Sequence, residues 1–221
     1  NTDERRNTKL GLDLMNTYND SVMDVLKELS NIGAGNAATA LSLLLNKKIN
    51  MNVPTAKLVS FNEIMDLIGG AERPVAAVFL KMEGEIEGSL FFVLSLEDAT
   101  RFVQQLTHDP TTKFEKFQYE EMAISALQEL GNIIAAHYLS AISNSIGQKC
   151  TPSVPIVAID MVGALVTEGL LQVSEDSDHA IFIDTRLEEI TDDSIHQAKG
   201  HFFLIPYQES LEKIMRTLGV K

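Results

Sequence analysis

An internal repeat constrains the fold of this chain more than any other feature. Residues 24–32 read DVLKELSNI, and residues 125–133 read SALQELGNI. The two segments lie 101 residues apart, and the same offset relates Pro54 to Pro155. Both copies therefore place 22 residues between the Asn of the segment and the Pro. A chain of this kind folds as two copies of one structural unit.

Each unit is predicted to contain a long helix, several strands and a shorter helix. Apolar residues recur at helical spacing over residues 20–45 and again over residues 118–146. The runs that follow are rich in β-branched and aromatic residues, which is typical of strands. The predicted strands are Ala56–Phe61, Val75–Met82 and Ile86–Leu94, then Ile156–Val162, Leu170–Val173, Ala180–Asp184 and His201–Ile205. The shorter helices are predicted at Leu96–Leu106 and Gln208–Leu218.

These elements predict a single α+β domain at residues 18–221, preceded by an N-terminal tail at residues 1–17. The domain consists of two repeats, at about residues 18–110 and 115–221, related by a pseudo-two-fold axis. We expect the long helices to pack on a mostly antiparallel sheet. Met15 is interpreted as the natural start, so residues 1–14 are expected to be either an upstream extension or a non-native addition.

The second repeat is longer than the first. Gly88 and Gly200 each precede an apolar strand and a short helix, and they lie 112 residues apart. The additional residues therefore fall between Pro155 and Gly200. The acidic, turn-rich segments Ser174–Asp178 and Glu188–Ser194 are predicted to contain them.

The charge and composition exclude several classes of function. The chain has 18 basic and 31 acidic residues and a formal net charge of −13, so it repels phosphate backbones and anionic lipid. We therefore expect no nucleic acid partner and no membrane insertion. No signal peptide or membrane-spanning apolar run is present in the sequence, and the single Cys150 suits a reducing compartment, which predicts a cytoplasmic protein. The five histidines lack metal-ligand spacing, so no metal is expected on this chain.

Polar residues line one face of each long helix at i, i+4 and i+7. The face consists of Asp24, Glu28 and Asn31 in the first helix and of Ser125, Glu129 and Asn132 in the second. Val25, Leu29 and Ile32 form an apolar stripe beside the first face, and we expect this stripe to be buried.

These polar faces have two possible interpretations: an ordinary solvated helix surface or a functional site. A solvated surface tolerates any polar residue, and descent from one ancestor explains part of the identity between the copies. Both copies nevertheless keep Glu, Asn and the distant Pro, which favours a function. Gly33 and Gly35 also have two interpretations, close helix packing or a functional role. The second copy has Ile134 and Ala136 at these positions, so the fold does not require the glycine pair.

A Glu and an Asn one helical turn apart suit one kind of chemistry. They do not form a nucleophilic site, because no Ser-His-Asp or Cys-His grouping accompanies them, and no Gly-rich phosphate loop is present. An exposed carboxamide can hold a water molecule, and a carboxylate can pair with a lysine. Hydrolysis of a phosphoryl group depends mainly on water positioning and charge stabilisation. The pair is therefore suited to act in another protein's active site.

The spaced pattern Asp/Ser-x3-Glu-x2-Asn-x22-Pro, present twice, resembles the signature of the CheC/CheX/FliY chemotaxis phosphatases. The segments 31–42, 54–61, 130–135 and 203–206 are also similar to that family. The resemblance extends over about residues 21–220. It implies the pseudo-two-fold α+β fold and hydrolysis of the aspartyl phosphate on the chemotaxis response regulator CheY, which terminates the signal.

The resemblance also implies a role for each residue of the motif. Asn31 and Asn132 orient the attacking water, and Glu28 and Glu129 engage the active-site lysine of the regulator. The residues that support them are Asp24, Ser125, Pro54 and Pro155. The Mg²⁺ ion is held by the phosphorylated regulator, and this chain carries no cofactor.

The family implies a second partner and leaves alternatives open. The receptor deamidase CheD is expected to bind, and the internal duplication favours a monomer. The chain ends soon after the second repeat, which weakens its interpretation as a flagellar-switch component. A non-catalytic module that binds CheD or associates with the switch remains the alternative, although an intact Glu and Asn in both copies favour an enzyme. His137 replaces Asn36, which indicates either sites of unequal strength or a partly buried helix histidine.

Overall fold

The computed structural model describes the backbone of residues 2–114, 120–171, 179–191 and 194–218. The helices are α1 (Thr2–Leu45), α2 (Phe61–Ile68), α3 (Leu96–Thr107), α4 (Glu121–Ile146), α5 (Val162–Leu171) and α6 (Gln208–Thr217). The strands are β1 (Lys48–Ser60), β2 (Pro74–Gly84), β3 (Gly88–Ser95), β4 (Cys150–Pro152), β5 (Ile156–Met161), β6 (His179–Ile190) and β7 (Ile195–Pro206).

The strands form one sheet in the order β1-β6-β7-β3-β2-β4, in which β5 also pairs with β2. Each of these pairings is antiparallel. The first strand of the first repeat, β1, pairs with β6 of the second repeat, while β4 and β5 of the second repeat pair with β2 of the first. The two repeats therefore exchange strands within one continuous sheet.

The pair of strands β3 and β7 contains the pseudo-two-fold axis. Phe91 lies directly opposite Phe203, which occupies the same position 112 residues later in the second repeat. Leu94 lies opposite Gly200. The equivalent residues of the other repeat, Pro206 and Gly88, also lie opposite each other. The predicted pseudo-two-fold α+β fold with helices on an antiparallel sheet is confirmed.

Apolar side chains cover both faces of the sheet, because successive residues of a strand point to opposite sides. The larger core lies between the sheet and helices α1, α3, α4 and α6. A smaller core lies on the other face, beneath α2 and α5. The rings of Phe92, Phe202 and Tyr138 stack at the centre of the larger core, with centroid distances of 4.5 and 4.6 Å. Both long helices that carry the motif therefore lie on the same face of the sheet.

Helices α1 and α4 pack closely at Gly33. A Cβ atom on Gly33 would lie 2.8 Å from the Cα of Tyr138, so the helix backbones can approach only because a side chain is absent. A Cβ atom on Gly35 would have no neighbouring heavy atom within 4 Å. Close packing therefore explains Gly33, and packing does not require Gly35.

A buried carboxylate holds the end of α1 to the sheet. Glu189 on β6 accepts hydrogen bonds from Lys47, Arg101 and Gln105. Burial would by itself raise the pKa of Glu189, but these three donors and the positive charge of Arg101 outweigh it and lower the pKa to about 2. The group is therefore ionised at neutral pH and links the segment after α1 to α3 and β6.

The structure corrects several predictions of secondary structure. Helices α2 and α5 were not predicted. The strand expected at Leu170–Val173 is wrong, because α5 extends to Leu171 and the last two residues lie outside the described part. Short apolar runs fit either a helix or a strand, which explains the error. The turn expected at Glu188–Ser194 is wrong at its start, since β6 continues to Ile190, whereas Ser174–Asp178 lies outside the described residues.

Ile32, which was expected to be buried, is exposed, and so are two further apolar residues in the helical-spacing patterns of the long helices. Ile32 is 56% exposed, Leu44 45% and Met122 65%. Each lies at the margin of its apolar stripe, and helical spacing alone does not fix how wide the buried stripe is. Two of the three, Ile32 and Met122, lie close to the motif residues along the chain.

The contrast between the two glycines gives a stability prediction. Gly33→Ala forces a Cβ against backbone atoms, so we expect the free energy of unfolding to fall by about 1–3 kcal/mol. Gly35→Ala is the matched control on the same helix, where alanine favours the helix and should stabilise the protein by roughly 0.5–1 kcal/mol. Urea unfolding of both variants measures the difference, and equal effects would contradict this account of helix packing.

Candidate functional site

The side chain of Asn31 is bound to strand β1. Its Oδ1 accepts a hydrogen bond from the backbone N–H of Val53 at 2.8 Å. Its Nδ2 donates to the carbonyl oxygen of Val53 and to that of Lys27, both at 3.1 Å. Both ends of the Asn31 carboxamide are thus engaged with the protein's own backbone.

The interruption of β1 explains why the motif combines Asn with a distant Pro. Strand β1 pairs with β6 up to Asn52 and again from Thr55, with a register shift between them. Pro54 has no N–H to donate, so the ladder is broken there and the backbone of Val53 needs another partner. Val53 is 1% exposed, and loss of Asn31 would leave a buried donor and acceptor unpaired at about 1–3 kcal/mol each.

The equivalent carboxamide in the second repeat is not held in this way. The side chain of Asn132 makes no hydrogen bond to any of the described residues. Here Gln128 ties the segment to the helix, donating from Nε2 to the carbonyl oxygen of Pro155 at 3.0 Å. Val154, the equivalent of Val53, is 82% exposed. One motif carboxamide is therefore committed to the backbone, and the other is free.

The segment between β4 and β5 accounts for this difference. Ser153 is bound to β2 by two hydrogen bonds, since its N–H donates to the carbonyl of Lys81 and its Oγ accepts from the N–H of Lys81, both at 2.9 Å. The strand path is interrupted between Pro152 and Ile156. With Ser153 fixed on the sheet, Val154 lies on the surface, and its backbone does not depend on Asn132.

The two motif carboxylates are exposed beside the carboxamides. Glu28 and Glu129 lie three residues before Asn31 and Asn132, respectively, so each pair occupies one face of its helix. Asp24 and Ser125 are also exposed and extend the two faces, while Pro54 is half-buried and Pro155 is buried. The structure thus brings together the motif residues of each repeat as two separate surface sites.

The surroundings of the two sites differ in polarity. Met122, Val154 and Ile156 lie beside the second site along the helix and the adjoining strand, and they are 65%, 82% and 60% exposed. The equivalent positions of the first repeat hold exposed Ser21, buried Val53 and exposed Thr55. The second site therefore has an apolar rim, made of Met122, Val154 and Ile156, whereas Ile32 is the exposed apolar residue beside Asn31 in the first site.

Other candidate chemistry is not supported. Cys150 is buried, and burial raises the pKa of its thiol to about 11, so it is a poor nucleophile. Among the residues that the structure describes, no three His, Cys, Asp or Glu side chains come together as a metal site. His137 is half-buried on α4. No helix in the described ranges is long and apolar enough to cross a membrane.

Sequence reasoning missed Val53 and Gln128. The signal for Val53 was Pro54, because a proline that interrupts a strand leaves neighbouring backbone groups in need of a partner. The signal for Gln128 was a difference between the two copies, since the first repeat has Lys27 at this position.

Comparisons with known proteins identify the family. The sequence profile of the CheC-like family matches residues 22–58 and 122–159, which contain both copies of the motif. The chain is 44% identical over 209 residues to the CheY-P phosphatase CheC of Bacillus subtilis (strain 168), an alignment that covers 94% of this chain and 99% of that protein. The chain therefore belongs to the CheC-like family.

More distant relatives share the architecture. The flagellar motor switch phosphatase FliY of Bacillus subtilis is 25% identical over 175 residues, which cover 79% of this chain and 45% of FliY. The crystal structure of Thermotoga maritima FliY matches with a TM-score of 0.70 and 18% identity, covering 89% of this chain and 95% of that one. The FliM middle domain of H. pylori has a TM-score of 0.61 at 12% identity, covering 90% and 98% of the two chains. These two structures establish similarity of fold alone.

The hydrogen bonds of the two motif asparagines predict different effects on stability. Asn31→Ala removes the partner of the buried Val53 backbone, so the free energy of unfolding should fall by about 1–3 kcal/mol or more. Asn132→Ala removes no hydrogen bond within the described structure and should change it by less than about 0.5 kcal/mol. Chemical unfolding of both variants tests this contrast. A similar loss of unfolding free energy in the two variants would show that the Asn132 side chain is also hydrogen-bonded to the protein.

Proposed function

We propose that this chain is a phosphatase that hydrolyses the aspartyl phosphate of phosphorylated CheY and so terminates the chemotaxis signal. The observation that carries the proposal is the exposed Glu–Asn pair on each motif helix, in a chain that matches a CheY-P phosphatase over nearly its whole length. In the proposed reaction the reacting groups are those of the regulator and a water molecule, and the buried Cys150 takes no part.

The proposed reaction is direct hydrolysis within the regulator's active site. A water oxygen attacks phosphorus, the bond between phosphorus and the aspartyl oxygen breaks, and the aspartate leaves as a carboxylate. The water's oxygen becomes part of inorganic phosphate, and its proton passes to the phosphate or to solvent. A motif carboxamide, from Asn31 or Asn132, orients this water, because an amide can accept and donate hydrogen bonds at the same time.

The motif glutamates are proposed to bind the regulator's active-site lysine. Glu28 and Glu129 are exposed and make no hydrogen bond with other described residues, so either carboxylate is available for a charge-assisted contact with a partner. This contact fixes the orientation of the neighbouring Asn toward the phosphoryl group. The regulator, not this chain, holds the Mg²⁺ ion that neutralises the phosphate.

Further features of the proposal concern the setting of the enzyme. We expect CheD to bind this chain as a second partner. A monomer is favoured because the pseudo-two-fold axis between Phe91 and Phe203 lies within one chain. The acidic composition and the single buried cysteine support a cytoplasmic location.

The proposal is tested by the decay of phosphorylated CheY with and without this protein. We expect the protein to accelerate the decay and the double variant Glu28→Gln/Glu129→Gln to reduce that acceleration by about 100-fold, because the carboxamides lose their orientation. Both glutamates are exposed, so the variant should fold normally. The matched control is Glu72→Gln/Glu97→Gln, which changes charge equally at exposed positions elsewhere and should retain activity.

Two outcomes would contradict the proposal. If the wild-type protein fails to accelerate the decay, both alone and with CheD present, the chain acts as a non-catalytic binding module. If the double glutamate variant and its control are equally active, the motif faces do not carry the reaction.

A further inference from the structure

We infer that the two motif sites are inequivalent: the Glu129–Asn132 site is the competent site of the resting protein, and Gln128 is the residue that positions it. Asn31, in contrast, serves mainly to pair the backbone of β1. The inference rests on the proposed function and assigns that function chiefly to one of the two sites.

The state of Asn31 provides the first argument. Both Nδ2 hydrogens of Asn31 are used, by the carbonyls of Val53 and Lys27, so its carboxamide must release one of these carbonyls before it can donate a hydrogen bond to a water molecule. Loss of each such hydrogen bond lowers the population of the released state by about tenfold, which is the equivalent of 1.4 kcal/mol. Asn132 has no bond of this kind to break among the described residues. Its carboxamide therefore needs no such release before it binds water.

The position of Gln128 provides the second argument. In both repeats a side-chain amide on the long helix binds a backbone carbonyl at the motif proline. Asn31 binds the carbonyl of Val53, the residue before Pro54, and Gln128 binds the carbonyl of Pro155 itself. The residue equivalent to Gln128 is Lys27, whose side chain makes no hydrogen bond within the described structure. In the second repeat Gln128 thus takes over the structural contact, and Asn132 is left free.

The apolar rim provides the third argument and identifies the occupant. Met122, Val154 and Ile156 expose apolar surface beside Glu129 and Asn132. The first site has polar or buried residues at these three positions and exposes Ile32 beside Asn31. Exposed apolar groups beside a polar centre are typical of a surface that a partner covers. Since this rim adjoins the reacting groups of the second site, the phosphorylated regulator is the partner that it fits.

Single glutamate variants compare the two sites directly. Both Glu28 and Glu129 are exposed, and neither side chain makes a hydrogen bond to described residues, so Glu28→Gln and Glu129→Gln should fold alike. We expect Glu129→Gln to lose about 90% or more of the acceleration of CheY phosphate decay, and Glu28→Gln to keep at least about half of it. Equal losses, or a larger loss in Glu28→Gln, would overturn the inference.

A second pair of variants tests the positioning role of Gln128. Gln128→Met removes the donor to the Pro155 carbonyl with little change of volume, and Lys27→Met is the matched change in the first repeat. We expect Gln128→Met to reduce the rate by about tenfold and to slow hydrogen exchange of the Asn132 side-chain amide, because the unpaired segment then recruits that carboxamide. If Gln128 only stabilises the fold, Gln128→Met leaves the exchange rate of the Asn132 side-chain amide unchanged. That result would contradict the assignment.

Hydrogen exchange of the wild-type protein separates this inference from the proposed function. In the absence of any regulator, NMR should show slow exchange of the Asn31 side-chain amide protons and fast exchange of those of Asn132. If this contrast is present but decay of phosphorylated CheY is not accelerated, the proposed function fails while the structural inequivalence stands. Equal exchange at the two amides would overturn the inference whatever the activity.

Discussion

The buried backbone of Val53 has to be paired, and this requirement shapes the first half of the molecule. Pro54 interrupts the β1–β6 ladder, and Asn31 restores the missing pairing from the neighbouring helix. The contact fixes the distance between helix and strand, and it places Glu28 on the exposed face one turn away. The Asn and Pro of the motif are therefore linked by structure as well as by chemistry. While these contacts are in place, the Asn31 carboxamide has no N–H left to donate to a water molecule.

The second repeat holds the backbone of its interrupted strand in place without using Asn132. Ser153 binds β2 and Gln128 binds the carbonyl of Pro155, so Asn132 has no structural duty within the described residues. Because β1 pairs with a strand of the second repeat and β5 with a strand of the first, the repeats cannot separate. Within the described residues, one motif carboxamide is therefore bound to the shared sheet while the other is open.

Much of the architecture could be predicted from the sequence because it depends on local periodicity and on the repeat. The 101-residue offset located both motif helices, and the 112-residue offset matched the strands that meet at the two-fold axis. The hydrogen bonds of Asn31 could not be predicted, because they arise where β1 breaks its pairing with β6, a strand more than a hundred residues away. The exposure of Ile32 and Met122 could not be predicted either. The neighbours that set the width of the buried stripe belong to elements that are distant in the sequence. Lys27 and Gln128 showed only a difference in residue type, whose meaning depends on the path of the adjoining strand.

The most direct test of the central claim is an NMR titration of this protein with CheY bound to Mg²⁺ and beryllofluoride, a stable mimic of the phosphorylated state. The account predicts that resonances of Ser125, Glu129 and Asn132 on α4 shift first and saturate at lower regulator concentration than those of Glu28 and Asn31 on α1. It also predicts shifts at the apolar rim of Met122, Val154 and Ile156. Equal titration of both helices, or earlier saturation at α1, would contradict the claim that the second repeat holds the competent site.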